Sequence, residues 1–439
     1  MCSIRLALTL GSILFLLGCD TFLGADAKIP IPGKRISILV GNKTLKPDPN
    51  TSGQEILLPA PTSNENWPQT GGYANHAMHH IKVNSDIKEI WSVDIGSGTD
   101  DTEVLIAQPI LSNKRLYSLD SETRVAAFSA LSGAKLWSVE LISEDDDEGH
   151  IGGGLASEAG RIYATTGLGE VISLNAENGQ INWRRRFDAP FRTAPTVRNN
   201  RVYAMSVNNK MHVLNGTTGQ TLWTHSGVEG TTNFLGGASP AVSSGVVVVA
   251  YSSGELTALK IENGKQLWTD SLSSSRKTSS IANISTIRGR PIIDRGLVFA
   301  VSNDGKLVAI NLRTGQRIWN RNIGSIESPW VAGNFIFLLS ESSELIALSR
   351  QTGSIYWVNN LSTQEKSTGD KYKSMWTGPV LASDRLIVAG TSGKILSISP
   401  YTGRVLGSIR MSSGVTIGPI IALDTIYFLN DDAELVAFR

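Results

Sequence analysis

Seven times along this chain a glycine is followed four residues later by a position held for bulk: Gly133/Trp137, Gly179/Trp183, Gly219/Trp223, Gly264/Trp268, Gly315/Trp319, Gly353/Trp357 and Gly403/Gly407. Six of the seven are tryptophan. The outermost glycines lie 270 residues apart over six intervals, a mean period of 45, which is the length of a four-stranded propeller blade. A unit of that size cannot bury its own apolar face, so stacking against neighbours is what makes it stable. With 43 glycines in 439 residues the chain is equipped for many tight turns. A formal net charge of +1 provides no field for a phosphate backbone and argues against nucleic acid as a partner.

Within each period the strand pattern repeats. Short β-rich runs precede the glycines at 124–129, 170–175, 210–215, 255–260, 306–311, 344–349 and 394–399, and an eighth lies at 434–439. Upstream stand Pro109, Pro195, Pro240, Pro291, Pro329, Pro379 and Pro419, with Leu155 in the second unit. Each proline opens an inner strand, where a missing N–H does least harm. The eighth unit has three strands, while residues 87–95, containing Trp91, form a fourth strand without a unit. Pairing the two closes a ring and removes its exposed edges. The expected fold is therefore all-β, an eight-bladed propeller of four-stranded antiparallel blades, closed by the N-terminal strand joining the C-terminal three. The tryptophans are expected to fill the wedges between blades.

The first residues read as an address. Arg5 precedes an apolar run over 6–17, too short to cross a bilayer and suited to a signal peptide. The run ends Leu16-Leu17-Gly18-Cys19, which resembles the bacterial lipobox and implies cleavage before a lipidated Cys19; an ordinary secretory signal is the alternative. Asp20 resembles an inner-membrane retention signal, so both membranes stay open. The chain thus divides into a signal at 1–18, a lipidated cysteine with a tether rich in Pro, Gly, Asn, Thr and Ser over 19–68, and the propeller over 69–439. Residues 35–40 read as one short strand within the tether.

The segment Ala309-Ile310-Asn311-Leu312-Arg313-Thr314-Gly315-Gln316-Arg317-Ile318-Trp319 resembles the A-x-D-x-x-T-G-x-x-x-W repeat of quinoprotein-type propellers. The acid of that pattern is replaced by Ser129, Asn175, Asn215, Lys260, Asn311, Ser349 and Ser399. The resemblance implies a fold shared by pyrroloquinoline quinone dehydrogenases and non-catalytic scaffolds, so it does not decide function. Alcohol-oxidising quinoproteins resemble one another in a vicinal Cys-Cys disulfide, a bound calcium and a catalytic Asp. Here the two cysteines are Cys2 and Cys19, and the repeats from residue 87 onward hold three histidines, His150, His212 and His225, a sparse supply for acid–base or metal chemistry. No Gly-x-Ser-x-Gly or phosphate-cradling Gly-x4-Gly-Lys-Ser/Thr pattern occurs. The expectation is a non-enzyme without cofactor or metal, the alternatives being a dehydrogenase-like enzyme or a solute- or polysaccharide-binding propeller.

Three smaller groups have plain readings. His76, His79 and His80 are expected in a solvated loop rather than around a metal. The acidic run 144–148 is expected to be a solvated loop rather than a calcium site. Arg184, Arg185 and Arg186 read as a charged outer edge that blocks strand addition.

Lipobox, eight repeats, split closing blade and the Asn66-Trp67-Pro68-Gln69 and Gly71-Gly72 sequences together resemble the BamB family, the propeller lipoproteins of the outer-membrane β-barrel assembly machinery. The resemblance implies a monomer within a hetero-complex, anchored at the outer membrane and facing the periplasm. It also implies binding to the POTRA domains of the barrel-forming subunit and assistance to unfolded outer-membrane proteins. The family's partner-binding residues fall in two loops, here 232–239 and 286–290. In the first, Leu-x-Leu-Arg-Gly is matched by Thr232-Asn233-Phe234-Leu235-Gly236. In the second, two acids fall on Thr286 and Arg288. The candidate partner residues are accordingly Phe234 and Leu235 as apolar anchors and Thr286, Arg288 and Arg290 in the second loop, with Arg288 and Arg290 meeting an acidic patch; packing of the loop onto the funnel mouth is the alternative.

Overall fold

A computed structural model describes residues 45–51, 53–142, 151–228, 237–273, 286–365 and 374–439. The described residues form eight four-stranded antiparallel sheets. In the first, Ile110–Ser112, Arg115–Leu119, Arg124–Ser129 and Lys135–Glu140 follow one another outward. The three inner strands are almost wholly buried and the outer one alternates between exposed and half-buried. Sheets covered on both faces require such continuous apolar strands, and alternation returns where one face meets water.

The prolines set the length of the innermost strands. Six of these strands have three residues and begin directly after proline, as Thr196–Arg198 follows Pro195. In the second blade, where Leu155 stands instead, Gly153–Glu158 pairs over six residues with Arg161–Thr166, because no N–H is missing. Pro379 lies inside Trp376–Ala382, and the register shifts between Thr377 and Val380. Proline in a sheet is tolerated at a strand's first residue or at such an irregularity.

The ring closes as the repeat count requires. Glu89–Asp94 pairs antiparallel with Glu434–Phe438, with Trp91 opposite Ala437 and Asp94 opposite Glu434. Thr425–Leu429 and Ile420–Ala422 complete that sheet.

The Gly/Trp motif is an inter-blade joint. Gly219, at φ +69°, is so close to Trp183 of the preceding blade that a Cβ would lie 2.7 Å from the indole, and Gly264 and Gly353 meet Trp223 and Trp319 in the same way. Each indole N–H reaches on to the next blade: Trp183 Nε1 donates to Gly216 O at 2.9 Å, Trp268 Nε1 to Leu312 O at 2.7 Å and Trp319 Nε1 to Arg350 O at 2.9 Å. Trp91 bears on Gly133 of the first blade. The exception, Gly407, has a structural reason. In the eighth blade the outer strand comes from the other end of the chain, so that blade has no glycine turn for a seventh-blade tryptophan to rest on, and nothing lies within 4 Å of a Cβ built at Gly407.

Residues 46–68, which composition reads as tether, lie against the ring, and the segment continues as a circuit around the axis. Asn64 bonds Ile421 and Leu423 in the eighth blade, and Trp67 exchanges backbone bonds with Leu111 in the first. Gln69 bridges to Ala156 in the second and accepts from Val197 N in the third. Ala74 O accepts from Val242 N in the fourth, and Asn75 O from Ile293 N in the fifth. His79 O accepts from Trp330 Nε1 in the sixth, and Ile81 pairs with Ala382 in the seventh. Innermost strands would otherwise present unpaired backbone groups to the axis, and this segment satisfies them.

The solvated loop expected for the three histidines is therefore corrected. His76 and His80 are 5% and 2% exposed. His76 Nδ1 lies 2.8 Å from Pro291 O, and His80 Nε2 accepts from Asp384 N at 3.0 Å. His79 sits 3.5 Å from Asp294, which also holds Arg350 at 2.9 Å. Among the described residues no cluster of three His, Cys, Asp or Glu is placed to hold a metal. Arg184 and Arg185 lie on the outer strand Ile181–Arg186 but act as ties between blades. Arg184 Nη2 donates to Leu141 O at 2.7 Å and Arg185 Nε to Gly219 O at 3.1 Å. Cys2, Cys19, the 35–40 strand and the 144–148 acids lie outside the described residues.

Candidate functional site

The loops entering the innermost strands surround a cavity of about 160 Å³ on the ring axis. Its wall follows from the proline repeat. A residue before proline is held extended, and in extended chain alternate side chains share a face. The first and third residues before each proline should then both face the axis. Gln108, Ala194, Ser239, Arg290 and Ser328 line the cavity from the first position and Ile106, Arg192, Gly237, Arg288, Ile326 and Thr416 from the third, but Ala107, Thr193, Glu327, Thr377 and Ile417 line it from the second as well, so strict alternation gives way where the loops turn in toward the axis. The encircling segment forms the floor through Trp67, Thr70, Gly71 and His76. It crosses the inner strands at residues that follow these, such as Leu111 and Ile293.

Charge in the cavity is concentrated on one side. Arg192, Arg288 and Arg290 line it, with Glu327 as the carboxyl among its described lining residues. Glu327 Oε2 accepts from Thr377 Oγ1 and Gly378 N, both at 3.2 Å. Burial raises its pKa, and the Gly378 N–H and the charges of Arg288 and Arg290 oppose the rise. Arg290 lies against the floor, where a Cβ on Gly71 would come 2.8 Å from its Nε, so a side chain there would displace the guanidinium. Beside it, burial pushes the His76 imidazole down to about 3, with the Arg290 charge adding and the contact with Pro291 O opposing. His76 is thus neutral at physiological pH. Trp67 and Trp330 stack with centroids 6.4 Å apart; Trp67 Nε1 is 3.4 Å from Gln108 Oε1, which also accepts from Gly71 N at 2.9 Å.

Of the candidate partner residues, Phe234 and Leu235 lie outside the described residues. Thr286 is buried, its N donating to Asn303 Oδ1 at 2.8 Å. Arg288 and Arg290 come together, but in the cavity wall, with Arg290 N donating to Ser328 Oγ at 2.9 Å. Arg192 and Glu327 were not among the candidates, although their distance from Pro195 and Pro329 marks the loops that meet at the axis.

The sequence pattern of the family described as outer membrane protein assembly factor BamB matches residues 121–359. The outer membrane protein assembly factor BamB of Yersinia pestis is 25% identical over 357 residues, which is 80% of this chain and 88% of that protein. Among solved structures, BamB from Moraxella catarrhalis superposes with a TM-score of 0.68 at 17% identity, covering 81% of this chain and 100% of that one. A quinohemoprotein alcohol dehydrogenase from Comamonas testosteroni superposes with a TM-score of 0.66 at 12% identity, covering 85% and 80%. At those identities the two structures speak for the fold alone.

Proposed function

Because the chain belongs to the outer membrane protein assembly factor BamB family, we propose that it is a non-catalytic scaffold for assembly of outer-membrane proteins, held at the outer membrane and facing the periplasm. The observation that carries this reading is the family match over residues 121–359, supported by a relative of that name aligned over 80% of the chain. A ring of eight packed blades offers a rigid frame from which loops project, and a frame that is already ordered loses little freedom when a partner docks. The partner in this reading is the POTRA region of the barrel-forming subunit, met by loops 232–239 and 286–290, with unfolded outer-membrane proteins presented for insertion. Within those loops Phe234 and Leu235 supply apolar contact and the half-buried Arg288 supplies charge, while Thr286 and Arg290 hold the second loop in place. Phe234→Ala combined with Arg288→Glu should abolish co-purification of the barrel-forming subunit from membranes while leaving the melting temperature nearly unchanged. A stable double variant that still recovers the subunit would remove these loops from the interface.

Cys19 carries the anchor in this reading, following a signal at 1–18, and Asp20 makes the inner membrane the competing address. Cys19→Ala should yield a folded protein in the soluble periplasmic fraction. Retention with membranes in high salt would place the anchor elsewhere.

A further inference from the structure

The axial cavity holds more positive charge than its own residues neutralise. Three arginines face one carboxyl, a surplus of two charges, and the neighbouring His76 contributes none. The Nε atoms of Arg192 and Arg290 are also buried with no hydrogen-bond partner among the described residues. Buried donors are costly to leave unpaired, and a guanidinium presents a planar fork matched to a carboxylate. On their side of the wall the arginines form two stations. Arg192 enters the third blade and Arg288 and Arg290 enter the fifth, while the intervening fourth blade contributes the small residues Gly237 and Ser239.

We propose that this cavity binds a small dicarboxylate, one carboxylate held by Arg192 and the other by Arg288 and Arg290. Two cationic stations on different blades suit a ligand with two separated anionic ends better than one tetrahedral anion. Its dianionic charge balances the surplus. The volume of about 160 Å³ is room for several waters at about 30 Å³ each, the size of a four-carbon diacid. Arg192 and Arg288 also border a second, smaller space of about 60 Å³. Glu327 opposes the ligand electrostatically and tunes its affinity. The proposal goes beyond the scaffold reading and does not depend on it.

Titration calorimetry on the mature protein with succinate, acetate and inorganic phosphate tests it. Succinate should bind more tightly than either other anion. Arg192→Gln and Arg290→Gln should each weaken it about tenfold. Glu327→Gln should tighten it by roughly threefold, a gain that a merely structural role for these residues does not produce. No heat with succinate, phosphate binding as tightly as succinate, or unchanged affinity in Arg192→Gln would overturn the proposal. If Arg290→Gln melts prematurely, Arg192→Gln and Glu327→Gln still decide, and unchanged or weakened binding in Glu327→Gln counts against it. Arg192→Gln should retain the barrel-forming subunit in co-purification, which separates failure of this site from failure of the scaffold reading.

Discussion

Tryptophan and glycine at fixed spacing do two jobs at each joint, and their burial grades the cost of losing them. Trp319 is 9% exposed, bonds Arg350 O and rests on Gly353. Arg350 in turn pairs with the buried Asp294 and lies over the Phe299 ring. Removing this indole leaves both a cavity and an unpaired carbonyl. Trp319→Ala should cost about 3 kcal/mol or more, whereas Trp223→Ala, at a half-buried indole, should cost measurably less; denaturant melts of the pair compare them directly. Gly407→Trp is the complementary experiment. With open space at that position, the added ring should shift stability by about 0.5 kcal/mol at most, and a large loss would show that the missing tryptophan has another cause.

At the scale of elements, the least expected is the segment that circles the axis. It has no regular strand of its own, yet it bonds the inner strands of all eight blades. Its histidines tie its stability to pH. The unfolded chain takes a proton on His76 near the ordinary 6.5, but the folded protein refuses it until about 3. A base with a lowered folded pKa contributes its full stability above the unfolded value and loses it as pH falls toward the folded one. His212, pushed down to about 4 chiefly by burial, acts in the same window. The melting temperature should therefore fall as pH drops from about 6.5 to about 4, and His76→Gln should flatten part of that slope. Parallel profiles for the two proteins would mean that the segment takes no part in acid sensitivity.

For the whole molecule, closure makes the two ends of the propeller interdependent. Glu434–Phe438 lies between Glu89–Asp94 and Thr425–Leu429 in one sheet, so deleting 434–439 takes out a central strand and exposes edges on both sides. The loss should spread around the ring rather than fray one end. Limited proteolysis should show cleavage near residues 89–94 together with a lowered melting temperature throughout, whereas a truncated protein with the parent's melting temperature and protease resistance would contradict a ring held shut by that blade.

Most of the fold is legible in the sequence. Strands such as Glu170–Asn175 and Lys210–Asn215 lie where the glycine period puts them, because turn, strand and tryptophan repeat within one 45-residue window and pair with near neighbours. The encircling segment is not legible. Its bonds join residues such as Asn64 and Ile421, 357 positions apart, and nothing periodic marks them. The site stands between these cases: positions before the prolines are visible in the sequence, but their meaning is not. By itself the sequence determined the number of blades and the strand that closes them, since these depend on short-range pairing repeated eight times. That Arg192, Arg290, Glu327 and His76 share one cavity was decided only by tertiary structure, since distant loops and an unpatterned segment converge on the axis only after the ring has closed.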